Sequence, residues 1–214
     1  MKDGLLFGDC GIAAVLERTD RETDTIGSGV QMIGSEYRSL AVPYGMFRHL
    51  IGKVSKELGV EKALSHNLKS TMDGTAVFTF SIKDTPKAAR EFLARFDCEI
   101  GDYDLISIHQ ANKMIVENVA KRIKAPAEKV LWSLDRYGNT SGASTAMNIC
   151  DYAGRENVYQ GTRRVFNLAF GVGLSVSIAD FELDMSAVLP VVKTAEAFDD
   201  GIDSSVFSKN EEGV

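Results

Sequence analysis

Cysteine, proline and tryptophan are scarce in this sequence: its 214 residues include three cysteines, four prolines and one tryptophan. The cysteines are odd in number and form no Cys-x-x-Cys pair, which argues against a disulfide framework and suits a reducing compartment. Long apolar runs are also missing, since none approaches the roughly 18 residues that a membrane-spanning helix needs. Charges flank the short apolar run within Met1–Asp9, so we expect no signal peptide and a cytoplasmic protein.

An excess of basic residues is the second absence. Lysine and arginine number 24 against 30 aspartate and glutamate residues, which gives a net charge of −6 at neutral pH. The chain therefore has no global positive field for nucleic acid, and we expect no nucleic-acid or membrane partner. Apolar residues make up 44% of the chain, which is enough to bury a core. Separately, we expect no metal site.

Strands alternate with helices in the second half of the chain, which predicts an α/β layered fold. Tyr103–Ile108 is an apolar run typical of a buried strand, and it precedes a predicted helix over Lys113–Lys124. A second helix is predicted over Ala143–Tyr152, followed by strands over Arg164–Phe170 and Leu174–Phe181.

The first half is less regular. Leu5–Phe7 and Ala13–Leu16 are short apolar runs that favour strands or a strand and a tight connection, and Val30–Ile33 predicts a short strand. Pro86 fits the first position of a helix that continues through Ala88–Phe96.

Two sites on this framework could carry chemistry. His109 follows a predicted buried strand, where layered α/β folds bind ligands, although such a histidine can also serve as a cap or a core residue. Asn139 lies in a turn whose hydroxyls, on Thr140 and Ser141, can cap the next helix. A fixed Asn amide can also donate to a developing oxyanion.

A third candidate is the Phe-Gly-Val-Gly turn between the last two strands, residues 170–173. Glycines there usually mark a bend, but they also let a backbone N–H, here that of Val172, approach a ligand closely. The turn is not a dinucleotide fingerprint, because the third glycine is missing and a strand follows it.

The order of these motifs is more specific than any one of them. His-Gln-Ala-Asn at 109–112, Asp-Arg-Tyr-Gly-Asn-Thr-Ser at 135–141 and Phe-Gly-x-Gly at 170–173 strongly resemble the C-terminal half of β-ketoacyl-[acyl-carrier-protein] synthase III. Leu-Phe-Gly-Asp at 6–9 and Met-Asp-Gly at 72–74 match further segments of that family. The resemblance extends over about residues 4 to 183.

The resemblance implies a thiolase-like layered fold, with the last strands of the first half followed by the second half. We expect the first half to end within residues 1–40, the second to span 41–183, and an acidic, partly disordered extension to follow over 184–214. It also implies decarboxylative condensation of an acyl thioester with malonyl-carrier protein, without a cofactor. His109 and Asn139 would donate to the malonyl thioester oxygen, and the Val172 N–H would serve the acyl thioester.

The chain departs from the family in two respects. The family's nucleophilic cysteine lies upstream of the segment at 6–9. Cys10 falls in a turn where the family usually has a glycine, and neither Cys98 nor Cys150 has the helix N-terminus and cationic neighbour that activate a thiol. Met114 also replaces a frequent arginine. The remaining basic residues of the predicted helix, Lys113, Lys121 and Arg122, suit docking of an acidic carrier protein, or form an ordinary solvated face.

These observations leave several hypotheses open. The chain is the C-terminal part of a ketosynthase III, inactive alone, which takes acyl-CoA and malonyl-phosphopantetheine substrates in fatty acid biosynthesis and forms a homodimer when intact. Alternatively it is a non-catalytic subunit paired with another chain, or a related polyketide-type or 3-hydroxy-3-methylglutaryl-CoA-synthase-like enzyme. In each case we expect exposed apolar surface that favours self-association or a partner.

Overall fold

A computed structural model describes residues 7–18, 20, 26–41 and 71–194. The described strands and helices, numbered in chain order, are β1 Gly27–Met32, β2 Leu40–Ala41, β3 Thr71–Met72, α1 Gly74–Arg95, β4 Leu105–Ile108, α2 Lys113–Arg122, α3 Leu134–Tyr137, α4 Ser144–Glu156, β5 Thr162–Gly171 and β6 Ser175–Asp184.

Four of these strands form one mixed sheet in the order β1-β6-β5-β4, and β2 pairs with β3 separately. β4 and β5 are parallel, with Ser107 opposite Asn167, whereas β5 and β6 form an antiparallel hairpin. β1 lies antiparallel to β6 at the edge of the described sheet. This mixed α/β sheet is the predicted fold class.

One face of the sheet, the α1 face, packs against α1 and α2. Its strands contribute apolar side chains to one continuous core with these helices, namely Ile106, Ile108, Phe166, Leu168, Phe170, Val176 and Ile178. α1 can approach the edge strand closely because β1 has glycine there: a Cβ on Gly29 would lie 3.0 Å from the Phe92 ring. The core therefore extends across the whole width of the sheet.

The opposite face, the α4 face, is covered by α4 at its β4 end, where Leu105, Ile149, Val165 and Met185 share a second apolar cluster. Since side chains alternate along a strand, this face also carries the residues between those of the α1 face. They are small or polar across the middle of the sheet, comprising Ser107, Asn167, Ala169, Ser177, Ala179 and Ser28. Ser28, Ser177 and the neighbouring Val30 are exposed.

The predicted strands and helices of the second half are confirmed, with small shifts at their ends. The predicted helix start at Pro86 is wrong. α1 begins at Gly74, where the Asp73 carboxylate accepts from the Ala76 N–H at 2.9 Å, and it continues through Pro86. Pro86 and Phe92 are buried, so packing of the helix onto the sheet outweighs the backbone hydrogen bond that proline removes.

Of the two alternatives for Ala13–Leu16, a strand or a connection, the strand is not found. Residues 8–18 have no regular secondary structure, and Val15 and Leu16 are exposed. A four-residue apolar run does not by itself select a strand, because a strand also needs a partner for its backbone. Of the predicted Leu5–Phe7 strand, only Phe7 lies within the described residues, and it forms a single bridge to Asn139.

Two domain predictions fall partly outside the described residues. The acidic tail after residue 194 lies outside them. The predicted boundary between residues 40 and 41 lies next to residues 42–70, which are outside them as well. Of the predicted extension, Met185–Ala187 forms a short 3-10 turn and Met185 is buried in the second cluster. The three domain boundaries stay predictions.

Candidate functional site

His109 lies directly after β4, as predicted. Its backbone N–H donates to the Leu168 carbonyl at 2.8 Å, which continues the pairing of β4 with β5 by one residue. Its imidazole meets the Phe170 ring edge-on, with ring centroids 5.2 Å apart. Burial lowers the pKa of His109 to about 4, so the imidazole is neutral at pH 7.

The His109 ring is also held by a hydrogen bond with a residue of α4. Its Nδ1 lies 2.6 Å from the hydroxyl oxygen of Ser144, the first residue of α4. Within the part of the chain that the structure describes, Nε2 has no hydrogen-bond partner. One nitrogen is thus occupied by the protein, and the other is available to a ligand.

Asn139 has a comparable arrangement. It is 8% exposed, its backbone carbonyl accepts from the Gly8 N–H at 3.1 Å, and its Oδ1 accepts from the Ser141 N–H at 2.9 Å. Gly8 is required for this contact, because a Cβ there would lie 1.9 Å from the Tyr137 carbonyl oxygen. The Asn139 Nδ2 donates to no acceptor among the described residues, so this amide too keeps a donor for a ligand.

The predicted hydroxyl caps are not found. Neither Thr140 nor Ala143, which precede the 3-10 turn and α4, makes a side-chain cap hydrogen bond. Ser141 contributes its backbone N–H to Asn139, and the Ser144 hydroxyl contacts His109 instead. The hydroxyl-rich segment therefore orients two candidate site residues.

A buried polar network beneath the site was not foreseen from the sequence. Gln110 donates from Nε2 to the Ile108 carbonyl at 2.9 Å and accepts with Oε1 from the Ser133 N–H at 3.3 Å. Asn148 accepts from the Ser133 hydroxyl at 2.6 Å and donates to the Ser107 hydroxyl at 3.0 Å. Buried amides with every group satisfied fix one geometry for the end of β4. The only signal in the sequence is a polar residue at positions that helix and strand periodicity assign to the interior.

Val172 lies at the tip of the hairpin that joins β5 and β6, as the glycines at 171 and 173 predict. Its side chain is 65% exposed, and its carbonyl accepts from the Ser175 hydroxyl at 2.7 Å. Within the described ranges its N–H has no acceptor. Phe170, two residues earlier, links the hairpin to the His109 ring. Phe170 and Ser144 thus bring the end of β5 and the start of α4 to His109.

None of the three cysteines lies in that arrangement. Burial raises the pKa of both the Cys10 and the Cys150 thiols, which disfavours the nucleophilic thiolate. Cys98 does have a cationic neighbour, which corrects the prediction: the Arg164 guanidinium lies 3.1 Å from its sulfur. That guanidinium is already paired with Asp180 at 2.7 Å. Arg164 lies near the start of β5, about 20 Å along the strand from its end beside His109.

The basic residues proposed for docking do not form one patch. Lys113 lies at the start of α2, with its ammonium 3.8 Å from the Glu117 carboxylate. Lys121 and Arg122 lie in the last turn, about 12 Å further along the helix. The Arg90 guanidinium of α1 joins them, because it donates to the Arg122 carbonyl at 3.2 Å. Arg90, Lys121 and Arg122 thus lie together at the end of α2, and docking on Lys113, Lys121 and Arg122 stays a prediction.

Neither a metal site nor a membrane span is found within residues 7–18, 20, 26–41 and 71–194. No three His, Cys, Asp or Glu side chains there come close enough together to hold a metal ion. No helix in the same ranges has both the length and the apolar character to cross a bilayer.

Comparison with known proteins identifies the relatives of this chain. Residues 93–182 match the family described as 3-oxoacyl-[acyl-carrier-protein] synthase III C terminal. The chain is 37% identical over 171 residues to the β-ketoacyl-[acyl-carrier-protein] synthase III of Caldanaerobacter subterraneus subsp. tengcongensis, covering 80% of this chain and 49% of that protein. It is 32% identical over 179 residues to the synthase of the same name from Acaryochloris marina, covering 83% of this chain and 52% of the relative.

A solved structure gives the same result for the fold. The 3-oxoacyl-(acyl-carrier protein) synthase from Burkholderia xenovorans LB400 superimposes with a TM-score of 0.65 at 26% identity, over 79% of this chain and 47% of that one. The chain spans about half the length of the curated relatives it matches. Over this part of its length the chain therefore has a thiolase-like α/β fold similar to the C-terminal portion of the 3-oxoacyl-[acyl-carrier-protein] synthase III proteins, whose C-terminal family residues 93–182 match.

Proposed function

We propose that this chain supplies the His/Asn part of a site for decarboxylative condensation of a malonyl thioester with an acyl thioester. The observation that carries this proposal is that His109 and Asn139 each have one side-chain atom held by the protein. The second nitrogen of each side chain lacks a partner among the described residues. Two N–H donors held in place from behind are what an oxyanion site requires.

The chemistry follows from where charge develops. Loss of CO₂ breaks the bond between the malonyl carboxylate and its methylene carbon, and the electron pair moves through that carbon onto the thioester oxygen. His109 Nε2–H and Asn139 Nδ2–H donate to this enolate oxygen. The enolate carbon then attacks the acyl carbonyl, and the thiolate that carried the acyl group leaves. Because burial holds the pKa of His109 near 4, its imidazole acts as a neutral hydrogen-bond donor.

The remaining parts of the reaction rest on the resemblance. The Val172 N–H, at an exposed hairpin tip and without an acceptor among the described residues, would donate to the acyl thioester oxygen. The acylated cysteine would come from the half of the family's fold that precedes the Leu-Phe-Gly-Asp segment, or from a partner chain. No cofactor takes part, since both thioesters bring their own activated carbon.

The partners of the proposed reaction are acyl-CoA and a malonyl-acyl carrier protein, in fatty acid biosynthesis in the cytoplasm. An acidic carrier would dock on the basic group of Arg90, Lys121 and Arg122, where the Arg90–Arg122 contact holds two helices together. Lys113, already paired with Glu117, would contribute less. We also propose that the intact protein is a homodimer.

The test is a reconstitution. The chain is mixed with the N-terminal half of the Caldanaerobacter relative, and release of CO₂ and formation of 3-oxoacyl product are measured against each half alone. We expect turnover only in the mixture. Removing one oxyanion donor costs about 10²–10³-fold in kcat, so His109→Ala and Asn139→Ala should each lose that much. Asn118→Ala, at a half-buried position on α2 whose side chain bonds within its own helix, is the matched control and should retain full activity. Condensation by the isolated chain would contradict our interpretation of its cysteines.

One observation favours a second candidate, a non-catalytic subunit that pairs with another chain. The α4 face carries exposed Val30 and a buried Asn167 Oδ1 that has no hydrogen-bond partner among the described residues. A partner that covers this face would bury Val30. If a partner binds with unchanged affinity and the reconstituted pair is equally active with and without His109→Ala, this candidate replaces the first.

A further inference from the structure

Ser144 is the residue whose placement calls for a further explanation. It is 1% exposed at the first position of α4, and its hydroxyl oxygen lies 2.6 Å from His109 Nδ1. The Gln110 N–H also points at this oxygen, at 3.4 Å. The family resemblance drew attention to His109, Asn139 and Val172, so the role of Ser144 comes from the geometry.

The directions of these hydrogen bonds determine where the imidazole proton lies. Gln110 N–H can only donate, so the Ser144 oxygen is its acceptor. Among the described residues, the Ser144 hydroxyl proton has no acceptor other than His109 Nδ1. If Nδ1 carried the proton instead, both groups would donate to one oxygen and a buried hydroxyl proton would be left unpaired, which is costly. Nδ1 is therefore the acceptor, and the proton of the neutral ring lies on Nε2.

We propose that Ser144 is a positioning residue that holds His109 in the Nε2–H tautomer. The inference rests on the proposed function, because only that reaction needs a donor at Nε2. In the opposite tautomer, Nε2 would present its lone pair to the enolate oxygen and repel it. The ring orientation is set at the same time, by Ser144 on one side and the Phe170 edge on the other.

Rival donors for His109 Nδ1 are absent from its described surroundings. Gln110 is adjacent in sequence, but its side-chain amide is used by the Ile108 carbonyl and the Ser133 N–H. Asn148, one turn along α4 from Ser144, is used by Ser107 and Ser133. The side-chain amides of Gln110 and Asn148 thus have their own partners, and among the described residues the Ser144 hydroxyl is the group bonded to the imidazole.

The experiment reads the tautomer directly. The full chain is labelled with ¹⁵N-histidine, and long-range ¹H–¹⁵N spectra at pH 7 report which ring nitrogen is protonated. The chain has three histidines, and a His109→Gln sample identifies the signals of His109. We expect a pure Nε2–H form in the wild type and a mixture of both tautomers in Ser144→Ala. Ser144→Thr keeps the hydroxyl and should restore the wild-type form. Ser141→Ala, which leaves the backbone donor to Asn139 in place, should change nothing.

Several results would overturn the proposal. A protonated Nδ1 in the wild type does so without any variant, and so does an unchanged tautomer in Ser144→Ala. If Ser144→Ala fails to give a native amide spectrum, Ser144→Gly is the second hydroxyl-free variant, and the same criterion applies to it.

The kinetic arm separates this inference from the proposed function. In the reconstituted pair, Ser144→Ala should lower kcat for decarboxylation about 10–100-fold with KM unchanged, as expected for loss of an orienting partner. A changed tautomer together with full activity of His109→Ala would overturn the proposed function and leave the tautomer assignment standing. An unchanged tautomer in Ser144→Ala, together with loss of activity in His109→Ala, would overturn the role of Ser144 and leave the proposed function standing.

Discussion

The two faces of the central sheet are built from the same strands and serve different purposes. The α1 face carries the apolar side chains of β4, β5 and β6 that share one core with α1 and α2, and the Phe92 ring covers glycine on β1. The α4 face has a buried apolar cluster only where α4 covers it, and elsewhere it carries serine, alanine, asparagine and the exposed Val30. Since side chains alternate along each strand, neither face can change its character without changing every second residue. The α1 face provides stability, and the α4 face provides hydrogen-bonding groups.

The two faces meet at the carboxyl end of β4. Phe170, from the α1 face, packs edge-on against the His109 ring, while Ser144, from the helix on the α4 face, contacts its Nδ1. The imidazole is therefore fixed by packing on one side and by a hydrogen bond on the other. At this candidate site the α1 face buries the imidazole, and the helix on the α4 face orients it.

The largest expected effect comes from truncating the same type of side chain, a phenylalanine, on each of the two faces. Phe166, on the α1 face, is fully buried against Phe92 and Tyr103, whereas Phe181 on the paired strand is only partly buried on the α4 face. Phe166→Ala should lower the free energy of unfolding by about 3–5 kcal/mol, and Phe181→Ala by less than half of that. Urea titrations measure both. Equal losses would remove the distinction between the faces.

Acid should lower the stability that His109 contributes where the two faces of the sheet meet. Burial lowers the pKa of His109 to about 4, whereas the unfolded chain binds this proton near pH 6.5. The unfolded state thus holds more protons between these values, and stability falls as the pH is lowered through that window. The His109 contribution is fully present above about pH 6.5, and about 3 kcal/mol is lost by pH 4.

The check compares the pH dependence of the unfolding free energy for the wild type and His109→Gln. Subtracting the two curves removes the titration of all other groups. A difference that stays flat from pH 7 to pH 4 would mean that the imidazole is solvated.

An intermediate effect is expected from the polar network under α4. Asn148→Ala removes the acceptor of the Ser133 hydroxyl and the donor to Ser107, and it should cost about 1–3 kcal/mol of stability because buried polar groups lose their partners. Asn118→Ala, at a half-buried position on α2 with one side-chain bond to the Met114 carbonyl, should cost less than Asn148→Ala. Thermal unfolding of the pair distinguishes them, and indistinguishable melting curves would show that the network is not structural.

The smallest effect on the isolated chain is expected at the exposed part of the α4 face. Val30→Lys should change its free energy of unfolding by less than about 0.5 kcal/mol, because the side chain is 71% exposed. The same change should weaken binding of the complementary half in the reconstitution, measured by sedimentation. Val192→Lys, at an equally exposed apolar position outside the sheet, is the control. Unaltered association would place the partner surface elsewhere.

Much of the second half was predictable because its periodicities are long and uninterrupted. The apolar face of α2, formed by Ile115, Val119 and Ile123, is buried as its spacing predicts. The start of α1 was not predictable in the same way. A proline is normally a good indicator of a helix start, but Pro86 lies in mid-helix because the segment from Gly74 is stabilised by its contact with a sheet formed much later in the chain.

The sequence by itself determined the alternation of strands and helices, the candidate positions His109, Asn139 and Val172, and the resemblance to the ketosynthase III family. These are local patterns, or the order of local patterns, along one chain. Tertiary structure alone decided that Ser144 faces His109 Nδ1, that Gly8 holds the backbone of Asn139, and that Arg90 joins Arg122. Each of these contacts joins residues more than 30 positions apart, and no periodicity reports a distance of that kind. Local sequence identifies the candidate donors, whereas the orientation of their side chains depends on which strands and helices the fold brings together.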